Sequence, residues 1–237
     1  MNGLTRSANR FDHRLHTPDA FVRAPLPGMR GATAIVHASP SGGAGFVQYT
    51  VEFEAGGVIP ACADERFLYV LDGRVGCGSG FLERGGFAYF APGDTTPVVA
   101  ETAARAAVIE KTYEPRDGVA APATFTGALT QAAVSPLGDD PRLEVRTLIP
   151  DDPAFDFRVN VMTFQPGSGL PAVEMHVMEH GLVMLEGGGS YRLGDQWYDV
   201  LAGDFIWMAR YCPQWFRVTG TTPASYLIYK DWDRSPR

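Results

Sequence analysis

The sequence predicts an all-β fold made of two similar halves, and three observations carry that expectation. Apolar runs are short and separated by Gly, Pro and Asp turns, the spacing of a sandwich, jelly roll or barrel. The 237 residues include 27 Gly, 18 Pro, 14 Phe and 9 Tyr, a mixture of turn formers and of aromatics that favour strands. Four blocks also recur in the same order along the chain, the signature of a duplicated domain. Residues 53–60 (FEAGGVIP) resemble 164–171 (FQPGSGLP), and 65–73 (ERFLYVLDG) resemble 179–187 (EHGLVMLEG). Residues 86–91 (GFAYFA) align with 204–209 (DFIWMA), and 107–111 (AVIEK) with 226–230 (YLIYK).

The first half carries candidate strands at 46–53, 67–71, 87–91 and 106–112. Their counterparts lie at 158–164, 182–185, 189–193, 205–208 and 225–232. Helical periodicity is weak everywhere except 127–133, and 114–153, dense in Pro, Gly, Ala and Asp, reads as the connection between halves. These features divide the chain into an N-terminal arm (1–39), a first domain (40–115), a connection (116–157) and a second domain (158–237).

Twenty Lys+Arg against 27 Asp+Glu give a formal charge of −7, which argues against a nucleic-acid binder. No window approaches the roughly 18 apolar residues that a membrane-spanning helix needs, and the N-terminus shows no secretory apolar segment. The expectation is a cytoplasmic protein without membrane or nucleic-acid partners. Cys62, Cys77 and Cys212 are an odd number at long spacings, which predicts reduced, inert thiols rather than a disulfide framework or a thiolate metal site.

The chain has only five His, and two of them fall in the segment 174–187 (EMHVMEHGLVMLEG). On an extended chain the side chains at i and i+2 share a face, so Glu174 and His176 point the same way. A turn then brings His180 to the start of the next strand. One carboxylate and two imidazoles at a strand–turn–strand corner predict a metal site, with a fourth ligand from a distant strand. The matching corner of the first half, 60–66 (PACADER), has no His, so the fold itself does not require them. Lysine occurs twice, at Lys111 and Lys230. On a strand at 225–231, Tyr226, Ile228 and Lys230 share one face and can turn a phenol and an ammonium toward the metal. Lys111, taken as the repeat mate of Lys230, is read as structural. Glu179 is read as a surface or outer group rather than a ligand.

Segment 174–187 resembles the first cupin motif, with Glu174 at its first His place, His180 at its Glu place and the motif's six residues between His180 and Gly187. The second cupin motif is matched in spacing by Gly203, Ala209, Tyr211 and Gln214, with Gln214 at the place of the fourth ligand. Over about 40–113 and 158–232 the chain resembles a bicupin, two tandem cupin β-barrels of jelly-roll type, one of them degenerate and without a metal site. A ligand set of Glu174, His176, His180 and Gln214 in the C-terminal half resembles that of the (S)-ureidoglycine aminohydrolase family of purine breakdown. The resemblance implies Mn²⁺, a small anionic ureido substrate, and substrate contacts from Glu174, Tyr191, Tyr226 and Lys230, with Glu174 and Lys230 as catalytic groups. It also implies a homo-oligomer, an octamer in that family. The O/N donor set suits Mn²⁺ ahead of Fe²⁺. Two other readings compete: a bicupin Fe/Mn dioxygenase or oxalate-decarboxylase-like enzyme on a small carboxylic acid, and a non-catalytic binding module.

Overall fold

A computed structural model describes residues 4–78, 80–231 and 234. Nearly every regular element is a strand, and the fold is all-β. Among the described residues, no helix is long and apolar enough to cross a membrane. The chain divides into two compact units.

The first unit takes residues up to Phe21, Ala133–Ile149 and everything from Phe157 on. Its large sheet runs, in spatial order, Ala8–Asn9, His13–His16, Phe205–Met208, His180–Glu186, Ala224–Lys230, Arg158–Phe164, Asp140–Thr147 and Val134–Leu137. A smaller sheet joins Gln196–Leu201, Gly188–Leu193 and Gln214–Val218. Alternation along each strand builds the interior: Leu182 and Met184, Ile206 and Met208, Phe216 and Val218, and Ala224, Tyr226 and Ile228 all enter one core. The second unit comprises Val22–Ala132 and Pro150–Asp156. Its nine-stranded sheet is centred on Val47–Ile59, Ala104–Lys111 and Glu65–Asp72, whose inward residues include Tyr49, Val51, Phe53, Leu68, Val70, Ala106 and Val108.

Several expectations meet a different arrangement. Strands fill the expected connection: Phe125–Ala128 extends the second unit's sheet, while Val134–Leu137 and Asp140–Thr147 extend the first unit's. The expected arm of residues 1–39 is shared between the units. Its described start supplies two strands to the first unit, where His13–His16 pairs with Phe205–Met208 and Arg6 grips buried Asp204 through two hydrogen bonds of 2.8 Å. Its end, Arg30–Ala38, pairs with Val47–Ile59 in the second unit. The helical signal at 127–133 is a single 3₁₀ turn, Leu129–Gln131, without a side-chain cap. Residue 232, the expected end of the last strand, lies outside the described residues; the strand is seen as Ala224–Lys230.

The ladders confirm the first three repeat blocks and shift the fourth by one residue. Arg66 pairs with Glu110, whereas its counterpart His180 pairs with Lys230. The repeat mate of Lys230 is therefore Glu110, and Lys111 corresponds to Asp231. A one-residue slip moves a side chain to the opposite face of a sheet. Lys111 accordingly points away from the core and pairs with buried Asp156 at 2.8 Å.

Gly73 and Gly187 close the second block in each half with φ of +75° and +64°. A Cβ on either would sit 2.3 Å from a backbone oxygen, Ala103 O or Pro223 O. Gly187→Ala is expected to cost at least about 1–3 kcal/mol, the usual range for a residue forced into this conformation. Urea unfolding monitored by fluorescence measures it, and an unchanged midpoint would contradict the assignment.

Candidate metal centre

The site is built where Glu174 and Gln214 lie side by side. Glu174 N donates to Gln214 O and Gln214 N donates to Glu174 O, both at 2.9 Å, forming an isolated antiparallel bridge. Residues directly opposite in such a pair project to the same side of the ribbon. Gln214 begins the strand Gln214–Val218 and is buried, while Glu174 stays partly exposed. Two residues on, His176 Nε2 lies 3.1 Å from Glu174 Oε2, as the i, i+2 spacing predicts. The backbone oxygen of His176 accepts from Tyr211 N at 2.7 Å, which ties this loop to the turn preceding Gln214. His180 opens the strand His180–Glu186, and its ring centroid lies 5.0 Å from that of His176.

The remaining predicted residues converge on the same place. Tyr191, fully buried on Gly188–Leu193, donates from its hydroxyl to Gln214 Oε1 at 3.1 Å. Tyr226 is buried against Phe164 and Phe216, with ring centroids 5.4 and 5.7 Å away. Lys230, half-buried, ends the central strand and pairs in register with both His180 and Arg158. Glu179 is buried and accepts from Trp207 Nε1 at 2.9 Å, so it is not a surface group.

Electrostatics make this a binding arrangement rather than a closed network. Burial, and then the charge of Lys230 and of His176, lowers the His180 pKa well below the ordinary histidine value, so the ring is neutral at pH 7. His180 Nδ1 is buried without a hydrogen-bond partner among the described residues. Burial also lowers the Lys230 ammonium, with Glu174 opposing. Tyr191 and Tyr226 are raised by burial first, and Glu174 adds to both, so both remain phenols able to donate. A carboxylate, an amide oxygen and two imidazoles, one with an unsatisfied buried nitrogen, fit a divalent cation of intermediate hardness. Glu174, His176, His180 and Gln214 are the residues that would hold it.

The second unit shows the same positions filled by structure. Where His180 and Lys230 stand in one unit, Arg66 and Glu110 stand in the other, joined at 2.6–2.8 Å. Tyr49 donates to Glu110 at 3.0 Å, and Arg66 Nη1 donates to Pro60 O at 2.7 Å. This buried pair satisfies itself, and among the described residues no cluster of metal donors is found there. Sequence reasoning missed it because the fourth block was aligned one residue out of register.

Comparison with known proteins agrees with this reading of the fold. Residues 160–229 match the Cupin domain family. The whole chain is 36% identical to the (S)-ureidoglycine aminohydrolase of Arabidopsis thaliana and covers 81% of it. The (S)-ureidoglycine aminohydrolase of Escherichia coli is 31% identical, over 93% of this chain and 88% of that protein. Among solved structures, a putative glyoxylate-induced protein from Pseudomonas aeruginosa superposes with a TM-score of 0.89 at 30% identity, covering 99% of this chain and 93% of that one.

The depressed His180 pKa generates a direct test. In metal-free protein the imidazole ¹⁵N shifts of His180 are expected to stay those of the neutral ring as pH falls through the range in which an ordinary histidine is protonated. A midpoint near the unperturbed value of about 6.5 would contradict it. Because the unfolded state protonates this ring first, its contribution to stability is complete above about pH 6.5 and is lost as pH falls below that value.

Proposed function

The chain belongs to the (S)-ureidoglycine aminohydrolase family within the cupin superfamily, and on that premise we propose that it is a manganese-dependent (S)-ureidoglycine aminohydrolase. In this reading it replaces the amino group of (S)-ureidoglycine with a hydroxyl from water, releasing ammonia and (S)-ureidoglycolate, a step of allantoin breakdown. One observation supports the proposal: Glu174 lies 3.1 Å from His176, whose ring centroid lies 5.0 Å from that of His180, and Gln214 bridges to Glu174 and accepts from Tyr191, in a chain 36% identical over all its residues to the Arabidopsis enzyme.

When bound, Mn²⁺ at these ligands would supply Lewis-acid positive charge that anchors the substrate carboxylate. One carboxylate among the ligands leaves that centre net positive, and Lys230 adds to it. The pocket therefore favours a small anion although the chain carries −7 overall. Tyr191 and Tyr226, held as phenols, hydrogen-bond and orient the substrate. In this reading Lys230, its ammonium pKa lowered by burial, passes a proton to the departing amino group and takes one from the incoming water. The C–N bond breaks, a C–O bond forms, and the proton count balances as water plus amine give alcohol plus ammonia. The same reading carries a cytoplasmic homo-oligomer, octameric as in the family it resembles.

Mn²⁺-loaded protein mixed with freshly generated (S)-ureidoglycine and followed by ¹³C NMR is expected to give (S)-ureidoglycolate faster than spontaneous decay. Racemic product at the uncatalysed rate would contradict the proposal. Lys230→Met is expected to lower kcat by about 10²–10⁴, the usual contribution of general acid–base help, with Mn²⁺ still bound. Near-full turnover by that variant would remove Lys230 from the chemistry.

A further inference from the structure

The fold assembles a second set of donors from residues that lie far apart in the sequence. One donor atom each from Asp12, His13 and Cys212 lies within 4.8 Å of the others. His13 and Cys212 are buried, and Asp12 is partly so. The backbone holds them in place independently of their side chains. His13 pairs in register with Met208, Ala209 N donates to Asp12 O at 2.9 Å, and Cys212 N donates to Ala209 O at 3.1 Å.

We propose that Asp12, His13 and Cys212 form a second metal site, separate from the Glu174 centre, that binds a Zn²⁺-class cation and fastens the N-terminal strands to the turn preceding Gln214. The two nitrogens of His13 are already divided between roles. Nε2 lies 2.8 Å from the Tyr198 hydroxyl, and Nδ1 lies 2.9 Å from Asp12 Oδ1, on the side of the cluster. A ligating imidazole is commonly oriented this way, with its far nitrogen hydrogen-bonded to a neighbour. Thiolate, imidazole and carboxylate together are a zinc donor set, with bonds of about 2.0–2.3 Å. Tetrahedral angles with such bonds put donors about 3.3–3.8 Å apart, so small side-chain rotations close the site. The open fourth position goes to water.

Softness separates the two centres. The Glu174 set offers oxygen and imidazole nitrogen, while this one adds sulfur, which Mn²⁺ binds less well than Zn²⁺ does. Burial, with Asp12 adding, raises the Cys212 thiol to about 11. Cation binding therefore expels its proton to solvent as the metal–sulfur bond forms. Gln214 lies two residues beyond Cys212, so occupancy braces the segment that carries it. Nothing in the cysteine spacing revealed this site, because its other two donors lie about two hundred residues upstream.

Co²⁺ titrated into reduced, metal-free, full-length protein tests the proposal, because only thiolate ligation gives a sulfur-to-cobalt charge-transfer band in the near ultraviolet. The expected result is such a band saturating near one equivalent, displaced by Zn²⁺, lost in Cys212→Ser and in His13→Gln, and retained in His176→Ala/His180→Ala. Cys62 and Cys77 remain in every variant and serve as the internal control. Absence of the band from the unaltered protein, or its survival in both Cys212→Ser and His13→Gln, would overturn the proposal.

Discussion

Two backbone hydrogen bonds between Glu174 and Gln214 hold together segments that the chain otherwise keeps forty residues apart. Everything at the metal centre depends on that clamp. It sets one carboxylate and one amide on the same side, and the extended backbone then carries His176 into contact with Glu174. The turn that delivers Gln214 contains Tyr211 at φ +63°, a conformation that a tyrosine adopts only under constraint. Its amide donates to the His176 carbonyl, so the strained residue is also the one that stitches the turn to the ligand loop. Backbone strain retained at such a point is commonly associated with function.

The two units show how one fold hosts a site or closes it. In the second unit Arg66, Glu110 and Tyr49 saturate one another, and a buried ion pair of this kind is stable only because each charge has its partner. In the first unit the equivalent positions carry His180 and Lys230, two groups that cannot neutralise each other, beside Glu174. Unsatisfied donors converging in a buried place are costly unless something binds them. The contrast assigns chemistry to one barrel and structure to the other without appeal to their overall similarity.

Short apolar runs bounded by turn residues were legible in the sequence. Arg158–Phe164 and Phe205–Met208 have the bounds that their apolar runs predict, and the corner at His180 lies where the strand–turn–strand reading places it. The fourth repeat block misled because 107–111 and 226–230 are apolar on both faces, so composition cannot distinguish one register from the next. Ladder hydrogen bonds decide it. His13–His16 and Val134–Leu137 carry little strand propensity of their own, and they become strands because a neighbouring strand offers an edge. The proposed metal ligands were readable because three of them fall within seven residues. Gln214 required the cupin resemblance, and the pairing of Cys212 with Asp12 and His13 required the fold.

The central claim is that one barrel holds a divalent cation and the other cannot. Anomalous diffraction at the manganese edge, from crystals grown with Mn²⁺, measures it most directly. The account predicts one peak within bonding distance of Glu174, His176, His180 and Gln214, and none beside Arg66 and Glu110. A peak in both barrels, or none at the Glu174 cluster, would contradict it.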